Sequence, residues 1–186
     1  IFYYKFKSNS SIVQKKYKDA IEPLNRLKEI NPEETRYIIA LAELKKVDRD
    51  YSSAMNLYLE AYKIEPSRLE LLETAGRYAL QLTNKDRASS IFKDLSIKDP
   101  AQSNYLNIYL ELALQIKKFE EAISHIQELN KKLGSSNDRE AKLGILFYES
   151  GQPEKGIQIL QDLLDKSKLP PQYVFSLFEI YFDNNQ

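Results

Sequence analysis

The chain has 186 residues, 42% hydrophobic and 29% charged, enough apolar material for one ordinary domain or a short repeat array. Lys+Arg and Asp+Glu both number 27, which argues against a nucleic-acid partner, because such a surface normally carries a basic excess. The absence of cysteine excludes a disulfide framework, thiolate metal sites and a cysteine nucleophile; it leaves the compartment open, with the cytoplasm favoured over the cell envelope.

The first residue is Ile1 and not Met, so the expectation is a segment of a longer chain. IFYYKF is apolar but too short to cross a bilayer, and no direct membrane insertion is expected. KFKSNSS does not read as a packed helix, because Lys7 and Ser8 stand where a buried pair belongs. The first unit, about 1–34, is therefore degenerate. Pro23 falls within its second helix. A start near Asp19, with Asp19 and Glu22 as a capping box, would put Pro23 just past the first turn; a start near Ser11 would leave a kink.

Beyond Asn31 the pattern is regular, in units of about 35–68, 69–102, 103–136 and 137–170. In the first of these, Ile38, Leu41, Ala42 and Leu44 line one face of a helix. Tyr51 to Ile64 forms a second, with apolar residues three and four apart. Asn31-Pro32-Glu33-Glu34 and Asp99-Pro100-Ala101-Gln102 predict a cap followed by a first-turn proline, and Ser67 with Glu70 a capping box. A last helix, 171–183, lies in PPQYVFSLFEIYFDNNQ and is apolar nearly all round.

One spacing ties these units together. Ala20, Ala54, Ala88, Ala122 and Gly156 recur every 34 residues, as do Pro32, Pro66 and Pro100. Four places after the small residue stand Leu24, Tyr58, Phe92, Ile126 and Leu160, all large. The small column predicts that the two helices of a unit cross too closely for a larger side chain, so Ala54→Leu should cost about 1–3 kcal/mol.

These residues resemble the tetratricopeptide repeat family. The fifth unit carries Leu143-Gly144 with Phe147, then SGQPEKGIQIL; the third carries Ala75-Gly76, Ala88, Phe92 and Pro100. The family tryptophan is absent, and Ile38, Leu72 and Leu106 occupy its place. The resemblance spans roughly residues 12–182. It implies an all-α, right-handed α-solenoid of helix-turn-helix repeats, five repeats plus one extra helix, with a concave face lined by the first helices.

No catalytic, metal or cofactor site is expected. His125 is the single histidine and is read as an ordinary surface residue. Pairs such as Glu33/Glu34 and Glu120/Glu121 read as caps or solvated faces, and the five glycines form no phosphate loop. Many of the 13 tyrosines, including Tyr17, Tyr51 and Tyr58, fall in packing columns and not on a base-stacking surface.

The expected function is a non-catalytic scaffold or adaptor that binds a peptide or helix of a partner protein in the concave groove. By the resemblance, the second unit would line that groove with Arg36, Ile39, Glu43 and Lys46. The third would add Glu73, Arg77 and Leu80, and the fourth Asn104, Asn107, Ile108, Glu111 and Leu114. Lys142 and Tyr148 follow in the fifth. The family's clamp for a partner's C-terminal carboxylate fails, because Lys5 and Asn9 fit but Ala40, Glu70 and Thr74 do not. The alternative is an assembly subunit joined, or self-associating, through the last helix, with Phe175, Phe178 and Phe182 as the end-on contact.

Overall fold

The structure, a computed structural model, describes residues 1–184. Among these residues there are eleven α-helices and no strand. They are α1 (Phe2–Val13), α2 (Tyr17–Ile30), α3 (Thr35–Val47), α4 (Tyr51–Ile64), α5 (Leu69–Gln81) and α6 (Lys85–Lys98). After them come α7 (Ser103–Gln115), α8 (Phe119–Leu133), α9 (Asn137–Glu149), α10 (Pro153–Asp165) and α11 (Val174–Asn184), the last preceded by a 3-10 turn at Pro171–Tyr173. The fold class is an all-α solenoid of helical hairpins. The chain divides after Tyr109, within α7, into two compact units.

In the first unit α1 packs on α2, α3 on α4 and α5 on α6, while α2 on α3 and α4 on α5 join successive hairpins. In the second, α8 packs on α9, α9 on α10 and α10 on α11. The small column sits where these pairings need it. Ala20, Ala54, Ala88 and Ala122 are each 0% exposed, and Gly156 is buried. The first helices carry a matching column with small residues in four of the first five units, Ser8, Ala42, Gly76 and Gly144, all buried; the fourth unit has a buried Leu110 there. A Cβ on Gly76 would lie 3.0 Å from Ile91 Cγ2 and 3.1 Å from the Phe92 ring.

The hairpin turns repeat as strictly as the helices. Lys15, Arg49, Thr83, Lys117 and Gly151 stand 34 apart, and each has positive φ, between 55° and 83°. Each closes its first helix with a Schellman arrangement. Asp50 N donates to Lys45 O at 2.9 Å and Arg49 N to Lys46 O at 3.0 Å; Asn84 N to Ala79 O and Thr83 N to Leu80 O repeat this at 3.0 and 2.9 Å. Asp50 and Asn84 then cap the next helix through Ser53 N and Arg87 N, at 3.1 and 3.2 Å. Four of the five left-handed positions carry a side chain.

Several expectations are corrected. KFKSNSS lies inside α1, and Ser8 is buried with its hydroxyl donating to Lys5 O at 3.0 Å. Serine is small enough for the close approach that alanine or glycine makes in the second, third and fifth units. Lys7 lies outside the packed face and reaches Glu22 at 3.8 Å. Pro23 sits well inside α2, which starts at Tyr17, so the Asp19 carbonyl has no proline N–H to accept from. The prolines between units are not first-turn residues. Pro32, Pro66 and Pro100 occupy the second place of tight turns closed by Glu34 N to Asn31 O (3.1 Å), Arg68 N to Glu65 O (3.0 Å) and Gln102 N to Asp99 O (3.2 Å). The next helices start three residues later, and neither Glu34 nor Arg68 makes a side-chain cap.

His125 is not on the surface: it is 2% exposed. It stands 34 after Ile91 and 34 before Ile159, in a column with Leu57. It fills an apolar position of the repeat, which its polar neighbours in the sequence conceal.

Candidate partner-binding surface

In the first unit, α1, α3, α5 and the start of α7 present the predicted inner-face positions. Arg36 is exposed and doubly hydrogen-bonded to Glu34, at 2.8 and 2.7 Å. Ile39 is half-buried. Glu43 pairs with Lys46 and accepts the Tyr58 hydroxyl. Burial would push the Glu43 carboxyl up, but these two donors outweigh it and hold it below the usual range. Burial and the Glu43 charge together push the Tyr58 phenol well up.

One repeat later the arrangement changes residues but not principle. Glu73 pairs with Arg77 at 2.7 Å and accepts the Tyr105 hydroxyl at 2.9 Å, a bond between successive hairpins. The Arg77 guanidinium is the main cause of the lowered Glu73 pKa. Leu80 is 37% exposed, Asn104 and Asn107 are exposed, and Ile108 is half-buried. Between α1 and α3 lies a cavity of about 260 Å³ lined by Lys5, Asn9, Arg36 and Tyr37.

In the second unit, Glu111 is exposed and Leu114 half-buried on the later part of α7. Lys142 is not a free cation: its side chain is 12% exposed and it pairs with Asp138. Asp138 also accepts the Tyr173 hydroxyl at 2.7 Å, so this cluster fastens the 3-10 turn to α9. Tyr148 is half-buried and lines a groove of about 690 Å³ between α9 and α11, with Ile145, Phe178 and Phe182. Glu149, Glu179 and Asp183 complete its rim. On α11, Leu177 and Ile180 turn inward, while Phe175, Phe178 and Phe182 are 71%, 69% and 68% exposed.

Glu179 and Asp183 were not among the residues expected from the sequence. Repeat phase carries the signal that finds them, since they stand 34 after Ile145 and Glu149. No group of histidine, cysteine, aspartate and glutamate that could hold a metal occurs among the described residues. No described helix is long and apolar enough to cross a membrane.

No protein-family model matches the chain, and no curated protein does either. Solved structures do. A tetratricopeptide repeat protein from Parabacteroides merdae superposes with a TM-score of 0.52 at 16% identity, over 96% of this chain and 71% of that one. The fold is that of the tetratricopeptide repeat. A chain of the Naa15/Naa10 complex bound to HypK-THB gives a TM-score of 0.57 at 18% identity, over 88% of this chain. Only 25% of that longer chain is covered, so this one spans about a quarter of its length. MamA gives 0.50 at 10% identity, over 90% of this chain and 91% of that one.

Proposed function

We propose that the chain is a non-catalytic protein-interaction scaffold that holds a peptide or helix of a partner against the inner faces of its first helices. One repeat position carries the reading. In three consecutive units it holds Leu80, Leu114 and Tyr148, large apolar residues that packing leaves exposed or half-buried, while the second unit has Lys46 there. Ile39 and Ile108 are half-buried apolar residues at other expected inner-face positions. Such side chains serve as anchors. Around them the charges are largely self-paired, Arg36 with Glu34, Lys46 with Glu43, Arg77 with Glu73 and Lys142 with Asp138. These pairs set register and exclude wrong partners more than they add affinity. Asn104, Asn107 and Glu111 supply exposed hydrogen-bonding groups along α7. That a chain of this fold occurs in the Naa15/Naa10 assembly with HypK-THB is in keeping with a role in protein binding.

The test is selection of random peptides on the full chain, followed by photo-cross-linking and mass-spectrometric mapping. Cross-links should fall on α3, α5, α7 or α9, and Leu80→Lys should weaken peptides mapped to α5 or α7. Cross-links confined to second helices would overturn the assignment.

A second reading rests on the exposed Phe175, Phe178 and Phe182: a subunit of a larger assembly, or a self-associating chain, joined through α11. Light scattering over a range of concentrations separates the two, because a strict monomer removes self-association.

A further inference from the structure

The groove between α9 and α11 combines an apolar floor with an acidic rim, and both helices contribute to each. Its floor is apolar and open to solvent, formed by Ile145, Tyr148, Phe178 and Phe182. Its rim is acidic, with Glu149, Glu179 and Asp183, and no basic residue lines it. None of these three carboxylates has an ion pair or hydrogen bond among the described residues, unlike Glu43, Glu73 and Asp138 elsewhere on the first helices. The sequence from Pro171 to the end contains Glu179 and Asp183 and no lysine or arginine, although the whole chain is neutral. Among the described residues, the rim carboxylates therefore have no counter-charge within ion-pair distance.

We infer that this groove binds a basic amphipathic segment of a partner protein, one aromatic or aliphatic side chain seated between Tyr148, Phe178 and Phe182 with lysine or arginine beside it. The inference rests on the inner-face reading above and names the chemistry of its ligand. Burying the two phenylalanine rings supplies the affinity, because large exposed aromatic area is the strongest apolar contribution a short segment can gain. Carboxylates without internal partners are free to accept cations, and the pairing costs no existing salt bridge. A second copy of the chain fits less well. Its α11 carries the same Glu179 and Asp183, so a two-fold pairing of the helices would bring like charges together around the shared apolar strip. The floor of about 690 Å³ takes a few side chains, not a folded domain.

Random-peptide selection on the full chain, with counter-selection on Phe178→Ala/Phe182→Ala, tests this. Both rings are mostly exposed, so the double variant should retain the parent helicity by circular dichroism. Peptides lost on counter-selection should be net positive and contain an aromatic or aliphatic anchor. By fluorescence anisotropy they should bind Glu179→Lys/Asp183→Lys at least about tenfold more weakly, and bind the parent more weakly as salt rises. The inference falls if no selected peptide depends on Phe178 and Phe182, if the dependent ones are acidic or uncharged, or if charge reversal leaves affinity unchanged. It also falls if α11 pairs with a second copy that the peptides cannot displace. Peptides that cross-link to α3 or α5 alone would sink this inference and leave the inner-face reading standing.

Discussion

Gly156 of α10 lies against the backbone of Gly144 in α9: a Cβ on Gly156 would fall 2.5 Å from the Gly144 carbonyl oxygen and 2.8 Å from Tyr148 N. Both obstacles are backbone, which cannot rotate away. A Cβ on Gly144 would instead meet Leu160 Cγ at 2.9 Å and Gly156 O at 3.1 Å, so part of its clash can be relieved by a side chain. Gly156→Ala should therefore cost more than Gly144→Ala, with both in or above the range of about 1–3 kcal/mol for overpacking. Ala54→Leu, at a 0% exposed position, belongs to the same class. Urea unfolding midpoints give the ranking; a Gly156→Ala protein as stable as the parent would refute the close crossing.

The left-handed turn residues make the opposite prediction. Thr83 is β-branched and has φ of 55°, a conformation that a branched Cβ resists. Thr83→Gly should raise stability by about 0.5–1 kcal/mol, the relief of strain exceeding the added freedom of the unfolded chain. Gly151→Ala, at the equivalent turn with φ of 83° and nothing within 4 Å of the new Cβ, should lower it by about 1 kcal/mol through backbone strain alone. Thermal melts of the pair distinguish backbone strain from packing, because neither substitution alters a buried contact.

These two columns show what the sequence made legible and what it hid. Ala20, Ala54, Ala88, Ala122 and Gly156 were readable because close packing restricts residue type, so a spatial demand became a visible pattern. The turn column, Lys15, Arg49, Thr83, Lys117 and Gly151, was not: a left-handed backbone prefers glycine but tolerates other residues at modest cost, and only Gly151 advertised it. Ser8 and His125 were misread for a related reason. Each is polar in type yet fills a position the repeat buries, and neighbouring side chains said less than the residues 34 away. Cap positions slipped by a few residues because Pro32, Pro66 and Pro100 suit a tight turn as well as a first helical turn. Phase gives the expected inner-face positions by number, but the pairing of Lys142, Asp138 and Tyr173 depends on the tilt of elements that no spacing encodes.

Tyr105 and Glu73 link one hairpin to the next through a 2.9 Å hydrogen bond to a charged acceptor. Tyr105→Phe keeps the ring, which lies 6.3 Å from Phe92 between centroids, and removes only that bond. It should cost about 1–2 kcal/mol, between a neutral hydrogen bond and one to a fully buried charge. Glu73→Gln, which also loses the Arg77 pair, should show coupling with Tyr105→Phe in a double-mutant cycle. Strict additivity would mean that the bond contributes nothing to hairpin stacking.

The same tyrosine–carboxylate pairs define how stability responds to pH. Burial alone would raise the Asp138 carboxyl, but the donors Lys142 and Tyr173 more than offset it and hold it below its ordinary value. Glu43 and Glu73 are lowered as well. A carboxyl with a depressed folded pKa contributes stability above its unfolded pKa of about 4, and that contribution is lost as pH falls through the folded value. The tyrosines run the other way. Burial and their carboxylate partners raise Tyr58, Tyr105 and Tyr173, so they favour the folded state below an unfolded pKa of about 10, an advantage lost as pH climbs beyond it. The urea midpoint should hold between about pH 5 and 9 and fall on both sides. Asp138→Asn should flatten the acid limb, since the lost carboxylate can no longer be protonated, and Tyr173→Phe should flatten the alkaline one. A midpoint unchanged down to about pH 3, or an acid limb identical in Asp138→Asn, would show that these pairs do not couple protonation to folding.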